Sequence, residues 1–249
     1  GAWAAVALLL AVAALPLVCG LAAAERPAES TSPAAAVRSG PARTRAQVLR
    51  DPLFPLVLLA VMPPALTGNT VFFHQAQLAA QRAWPPALFA AAFPLMAAAT
   101  VVCSLAAGRW IDRAGALALL PLYALPMALG CGLLAGVSAP WAVFAFMALY
   151  GVSNGASLAL FGSLWPQLYG SAHLGAIRSL VAGVLVTVSA LGPGLAGLAL
   201  DAGIALAHIV AGFGFYALAV SLLMAPVSRR LVAQACSRAS SARAAVPTR

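Results

Sequence analysis

The stretch PALFAAAFPLMAAATVVCSLAAGRWIDRAG, residues 86–115, decides the fold. Its first part, 86–107, carries no charged side chain. A helix crossing the hydrocarbon core of a bilayer needs roughly 20 mostly apolar residues, which this run supplies. It is too long for a strand of a soluble sheet, and apolarity on every face argues against a helix lying on a surface. The run stops abruptly at Gly108, and Arg109, Asp112 and Arg113 come within six residues.

Working outward, six more apolar runs of similar length appear at about 2–23, 53–75, 116–136, 141–163, 177–199 and 204–226. They are rich in Ala, Leu, Val and Gly and carry no charge except Arg178, at the edge of the sixth run in chain order. The expected fold class is therefore an all-α integral membrane protein with seven transmembrane helices. Composition agrees. Of 249 residues, 63% are hydrophobic and 8% charged, against about 25% charged in an ordinary soluble domain. One soluble core of this size has no room for so much apolar surface.

The formal charge of +9 does not imply nucleic-acid binding. Lysine is absent, and the arginines lie in the gaps between apolar runs instead of clustering on one face. Thirteen of the fourteen fall in alternate gaps and the tail, and only Arg82 falls on the other side. Basic residues are retained in the cytoplasm, so the thirteen-arginine side is expected inside. Leu21-Ala22-Ala23-Ala24 resembles a signal-peptide cleavage site. Cleavage there would move five arginines outside, so the first run is expected to stay as a span. Cys19, Cys103, Cys131 and Cys236 show no metal-ligand spacing and are expected to act as small apolar residues. No cofactor or metal site is expected.

The chain divides into four segments: a last helix of a preceding bundle (1–24), a cytoplasmic linker rich in Pro, Ser and Arg (25–51), a six-helix bundle (52–227) and a basic cytoplasmic tail (228–249). It opens inside an apolar run without Met, and is expected to be a fragment lacking its N-terminal half.

Three motifs carry a family resemblance. Gly108-Arg109-Trp110-Ile111-Asp112-Arg113-Ala114-Gly115 resembles the inner-loop signature of major facilitator transporters, Gly-x-x-x-Asp-Arg-x-Gly. Gly192-Pro193-Gly194-Leu195-Ala196-Gly197 is similar to the Gly-Pro-rich bend of that family's fifth helix, whose repeat partner is the eleventh. Trp165 to Gly170 and His173 to Ser179 resemble the loop before the eleventh helix in bacterial members related to monocarboxylate and oxalate–formate transporters; Phe72-Phe73-His74-Gln75 fits the same group. The resemblance implies that the seven spans are the sixth to twelfth helices of a twelve-helix fold in a bacterial inner membrane. It also implies secondary transport of a small solute, with a small organic anion as the solute class. Gly108, Asp112, Arg113 and Gly115 are then expected to form an inner latch, and Pro193 a gating bend.

Polar residues within spans are costly in lipid and tend to face a bundle interior or a watery path. Pro63-Pro64 should kink the second span and free backbone carbonyls, with Thr67, Asn69 and Thr70 just beyond. Asn69, Phe73 and Gln77 are spaced by four and fall on one helical stripe. Asn154 and Ser157 share a face of the fifth span, although Gly151 and Gly155 around Asn154 equally favour close helix packing. Asn69, Phe73, His74, Asn154 and Ser157 are therefore the candidate substrate-binding residues. His74 has an alternative as a hydrated residue near the outer interface, and Arg178 as a plain topology charge. The third and sixth spans lack the buried cation that carboxylate carriers of this group place there.

No Gly-x-x-x-x-Gly-Lys-Ser/Thr loop for ATP is present, and no catalytic cluster of His, carboxylate or Ser lies at depth, so an enzyme is not expected. The alternatives to carriage of an organic anion are efflux of neutral or cationic drug-like compounds, or a non-transporting seven-helix receptor. Expected partners are the solute, the lipid bilayer and the N-terminal half of the same chain.

Overall fold

The computed structural model describes residues 43–244, with side chains described as far as Ala233. The first apolar run and the linker up to residue 42 lie outside the described residues. All described residues belong to one compact unit, and among them every regular element is helical. The elements are α1 (Arg45–Leu49), α2 (Leu53–Val61), α3 (Pro63–Phe73), α4 (Gln75–Gln81), α5 (Leu88–Ala114), α6 (Ala116–Leu119), α7 (Leu125–Gly136), α8 (Trp141–Tyr169), α9 (Leu174–Asp201) and α10 (Leu206–Ala244).

Among the described residues, five helical stretches are long and apolar enough to cross a membrane. They are Leu53–Phe73 (α2 and α3 in line), α5, α8, α9 and Leu206–Ala233 of α10. The apolar run 116–136 does not form one span-length helix. Gly115, with φ +86, ends α5, and α6 stops at Leu119 just before Pro121. The chain regains helix only at Leu125, next to Pro126. Each proline lacks the N–H that a continuous helix would require.

Gly151 and Gly155 explain why α8 packs most closely on α5. A Cβ built on Gly151 would lie 2.5 Å from the Met96 carbonyl oxygen, and one on Gly155 would lie 2.3 Å from that of Thr100. Only hydrogen at these positions lets the two backbones meet. The other face of α8 packs on α7, which also receives α10, while α9 lies along α3. The core runs through these seams, with Phe146, Met147, Leu160 and Leu164 of α8 fully buried. By contrast, α5 and α9 leave broad apolar faces uncovered, including Val101, Val102 and Leu105 on one and Val186, Leu195 and Leu198 on the other. Such faces suit lipid or another helical body, not water.

A proline inside a helix leaves the carbonyl four residues earlier without its N–H partner. Four carbonyls that lie four residues before a proline accept a hydrogen bond from a side chain elsewhere in the chain. Among the described residues those of Ala90, Ser189 and Leu222, before Pro94, Pro193 and Pro226, accept none from a side chain. Pro63 frees the Leu59 carbonyl, which accepts the Tyr216 hydroxyl at 2.6 Å. Pro64 frees that of Ala60, which accepts the Tyr123 hydroxyl. Pro121 frees that of Leu117, taken by Ser228. Pro166 frees that of Gly162, taken by Arg178 Nη2 at 2.6 Å. These four carbonyls are thus satisfied by bonds from other helices or turns, as backbone in an apolar medium demands.

One end of the bundle holds the last residues read from the sequence as linker. Arg43 pairs with Asp51 at 2.5 Å, its guanidinium lies over the Tyr169 ring, and its N–H donates to the Tyr169 carbonyl. Asp51 Oδ1 also accepts the Leu53 N–H and caps α2. Residues 45–49, read from the sequence as linker, form α1 and bury Val48 completely. A local signal starts this helix, a capping box in which Gln47 Oε1 accepts the Thr44 N–H at 2.9 Å. At the opposite end, Arg82 donates to the carbonyls of Ala135 and Val137, completing the C-terminus of α7, and Trp84 Nε1 donates to Ser138. A cation at a helix C-terminus also meets the negative end of its dipole.

Candidate functional site

The broken span positions the site. With Met62 as the joint, Pro63-Pro64 starts α3, and Asn69 and Phe73 emerge one turn apart on one face. The Asn69 amide nitrogen donates to the Ala65 carbonyl at 2.9 Å, holding the side chain along the helix. Phe73 closes the helix with a largely exposed ring, and His74 comes next as the capping residue at φ −96 and ψ 11. The backbone turns there into α4, so the stripe read from the sequence stops at Phe73. Gln77 points away, exposed, and does not line the site.

Opposite stands α9, whose middle carries Gly192-Pro193-Gly194. Gly192 lets α9 approach α3, because a Cβ there would lie 2.7 Å from Thr70 Oγ1. His74 Nε2 lies 3.2 Å from the Pro193 carbonyl oxygen. A carbonyl only accepts, so Nε2 carries the hydrogen. The two helices are thus tied across a separation of 119 residues.

Between them opens a recess of about 580 Å³, lined by Asn69, Phe73, His74, Ser189, Pro193 and neighbouring small residues of α9. Three of the five expected binding residues and the expected gating proline therefore meet at one place. Ser189 was not anticipated from the sequence, yet a signal existed: it lies four residues before Pro193, so its carbonyl is the one that proline frees. Among the described residues no side chain donates to that carbonyl. A second recess, of about 420 Å³, lies along the N-terminal half of α9 and is lined by Arg45, Ser179, Gly183 and Thr187 among others.

Asn154 and Ser157 lie outside the first recess. Ser157, buried, donates to the Asn154 carbonyl at 2.7 Å within α8. Asn154 sits between the two glycines pressed on α5, so the close-packing alternative describes its neighbourhood.

Gly108, Asp112 and Arg113 belong to the last turns of α5, and Gly108 has open space around it. The turn itself is at Gly115, where only glycine takes φ +86 without strain. Gln167 of α8 accepts the Ala116 N–H at 3.0 Å just beyond it. Two motifs distant in sequence, the inner-loop signature and Trp165-Pro166-Gln167, therefore meet in one structural unit.

Several long apolar helices with exposed apolar faces define a multi-pass α-helical membrane protein. No family model, no curated protein and no solved structure matches the chain.

Proposed function

We propose that this chain carries out secondary transport of a small solute by alternating access, as the C-terminal half of a major-facilitator-type transporter. The observation that carries the reading is the recess between α3, which starts at the Pro63-Pro64 break, and α9, which carries Pro193 inside it, the two tied by His74 and the Pro193 carbonyl. Solute sites in membrane carriers form where broken helices expose backbone groups to a cavity. The second recess lies along the other half of the same helix, α9. On this reading the arginine-rich side is cytoplasmic and the membrane is a bacterial plasma membrane. The uncovered faces of α5 and α9 are then met by lipid and by a preceding helical half.

The test is flux in proteoliposomes, with radiolabelled small amines and carboxylates under an imposed pH gradient. Transport requires saturable accumulation that falls at least about tenfold in Asn69→Ala with Phe73→Ala, the loss expected when oriented contacts to a solute are removed. Saturable binding without any accumulation would favour the receptor alternative.

A further inference from the structure

We infer that the recess between α3 and α9 is built to hold a protonated small amine, and so selects cations over the carboxylates expected from sequence resemblance. The inference deepens the transport reading and rests on it only for the steps after binding.

Most hydrogen-bond donors of the recess are already committed inside the protein. His74 Nε2–H is given to Pro193, one Asn69 amide N–H to Ala65, and the Ser189 hydroxyl hydrogen to the Val186 carbonyl. What remains on the lining residues is mainly acceptors: Asn69 Oδ1, the Ser189 hydroxyl oxygen and the Ser189 carbonyl that Pro193 deprives of its N–H. Among the described residues lining the recess, one Asn69 N–H is the side-chain donor left over. The buried hydroxyls of Thr67 and Thr70 lack partners among the described residues but do not line the recess.

A carboxylate needs several donors to replace water, and an under-satisfied anion is costly at low dielectric. An ammonium group offers N–H donors and accepts nothing, which is the complement of this set. The Phe73 ring, 73% exposed and edge-on to His74 at 5.1 Å between centroids, adds a π face to which a cation is attracted. No Arg among the described residues lines this recess to repel a cation; Arg45 belongs to the second recess.

The experiment is binding to the full chain in lipid nanodiscs, using n-butylammonium and butyrate as probes of equal length. Butylammonium should raise the melting temperature saturably, and butyrate should not. The decisive variant is Pro193→Ala, which returns an N–H to the Ser189 carbonyl and so removes an acceptor while strengthening the helix. Its melting temperature without probe should hold or rise, yet butylammonium affinity should fall about tenfold, the scale of one charge-assisted hydrogen bond. Phe73→Leu, which keeps apolar bulk and loses the ring, should weaken butylammonium several-fold. Three results overturn the inference: preferential binding of butyrate, binding of neither probe, or butylammonium affinity unchanged in both variants. Butyrate binding lost in Arg45→Gln would further put an anion site in the second recess. The transport reading is judged separately by flux: an amine that binds the recess but never crosses refutes transport and leaves the binding site standing.

Discussion

Arg178, near the start of α9, donates from Nη2 to the carbonyl oxygen of Gly162 in α8 at 2.6 Å, the acceptor that Pro166 leaves vacant. A residue that reads in sequence as a topology charge therefore also joins two spans. The bond should be measurable as a coupling. Arg178→Ala should lower stability by about 1 kcal/mol, at the modest end for a charged donor because Arg178 is exposed. In a Pro166→Ala background, where the helix supplies its own N–H, most of that loss should vanish. Equal losses in both backgrounds, measured by denaturant titration in lipid, would show that Arg178 acts elsewhere.

The tyrosines around the break at Met62 should be unequal. Tyr123 and Tyr216 serve carbonyls that the prolines orphan, whereas Tyr150 donates at 3.0 Å to Pro64, whose carbonyl keeps its ordinary helical position. Tyr123→Phe should cost about 1–3 kcal/mol, the penalty of a buried acceptor left bare, and Tyr216→Phe, whose bond is exposed, about 1 kcal/mol. Tyr150→Phe should cost less, and Pro64→Ala should rescue Tyr123→Phe in particular. Melting curves of the four variants decide this, and equal losses at all three tyrosines would refute it.

At the α5–α8 seam, Gly151→Ala and Gly155→Ala drive a methyl group into backbone carbonyls that cannot rotate away. Each should destabilise by about 1–3 kcal/mol or force the helices apart. Gly132→Ala, in the middle of α7 with open space around it, should be neutral or up to about 1 kcal/mol stabilising through helix propensity. A thermal-shift comparison of the three reads the contrast directly. Gly151→Ala and Gly155→Ala as mild as Gly132→Ala would disprove the close approach.

Arg82 holds the end of α7 through a forked guanidinium, with the Trp84 ring beneath it at 5.3 Å. Arg82→Lys keeps the charge but cannot reach both carbonyls in the same geometry. It should therefore recover less than half of the stability lost in Arg82→Ala. Hydrogen exchange at the last turn of α7 should rise in both variants. Full recovery by lysine would mean that charge alone matters there.

Much of the fold is legible in residue type and spacing alone. Charge-free runs of span length, arginines in alternate gaps and the break at Pro63-Pro64 are such properties, which the bilayer and the missing proline N–H translate directly into helices and kinks. The pairing of Asn69 with Phe73 is legible for the same reason, since helical spacing alone puts them on one face. Gln77 departs from that stripe because the spacing assumes a helix that continues past His74, and the backbone turns there.

By itself, then, the sequence determined that this is a helical membrane protein, that its second apolar run bends at Pro63-Pro64, and which polar side chains lie near that bend. The interruptions at His74 and between Leu119 and Leu125 were not read from it. Only the tertiary structure decided which distant donor meets each orphaned carbonyl: Tyr216 with Leu59, Tyr123 with Ala60, Ser228 with Leu117 and Arg178 with Gly162. Among the described residues it alone left the Ser189 carbonyl without a side-chain donor, beside His74 and Asn69. The reason is physical. A proline announces a vacant acceptor locally, within four residues, but the group that fills it arrives through helix packing, across up to 157 residues of chain.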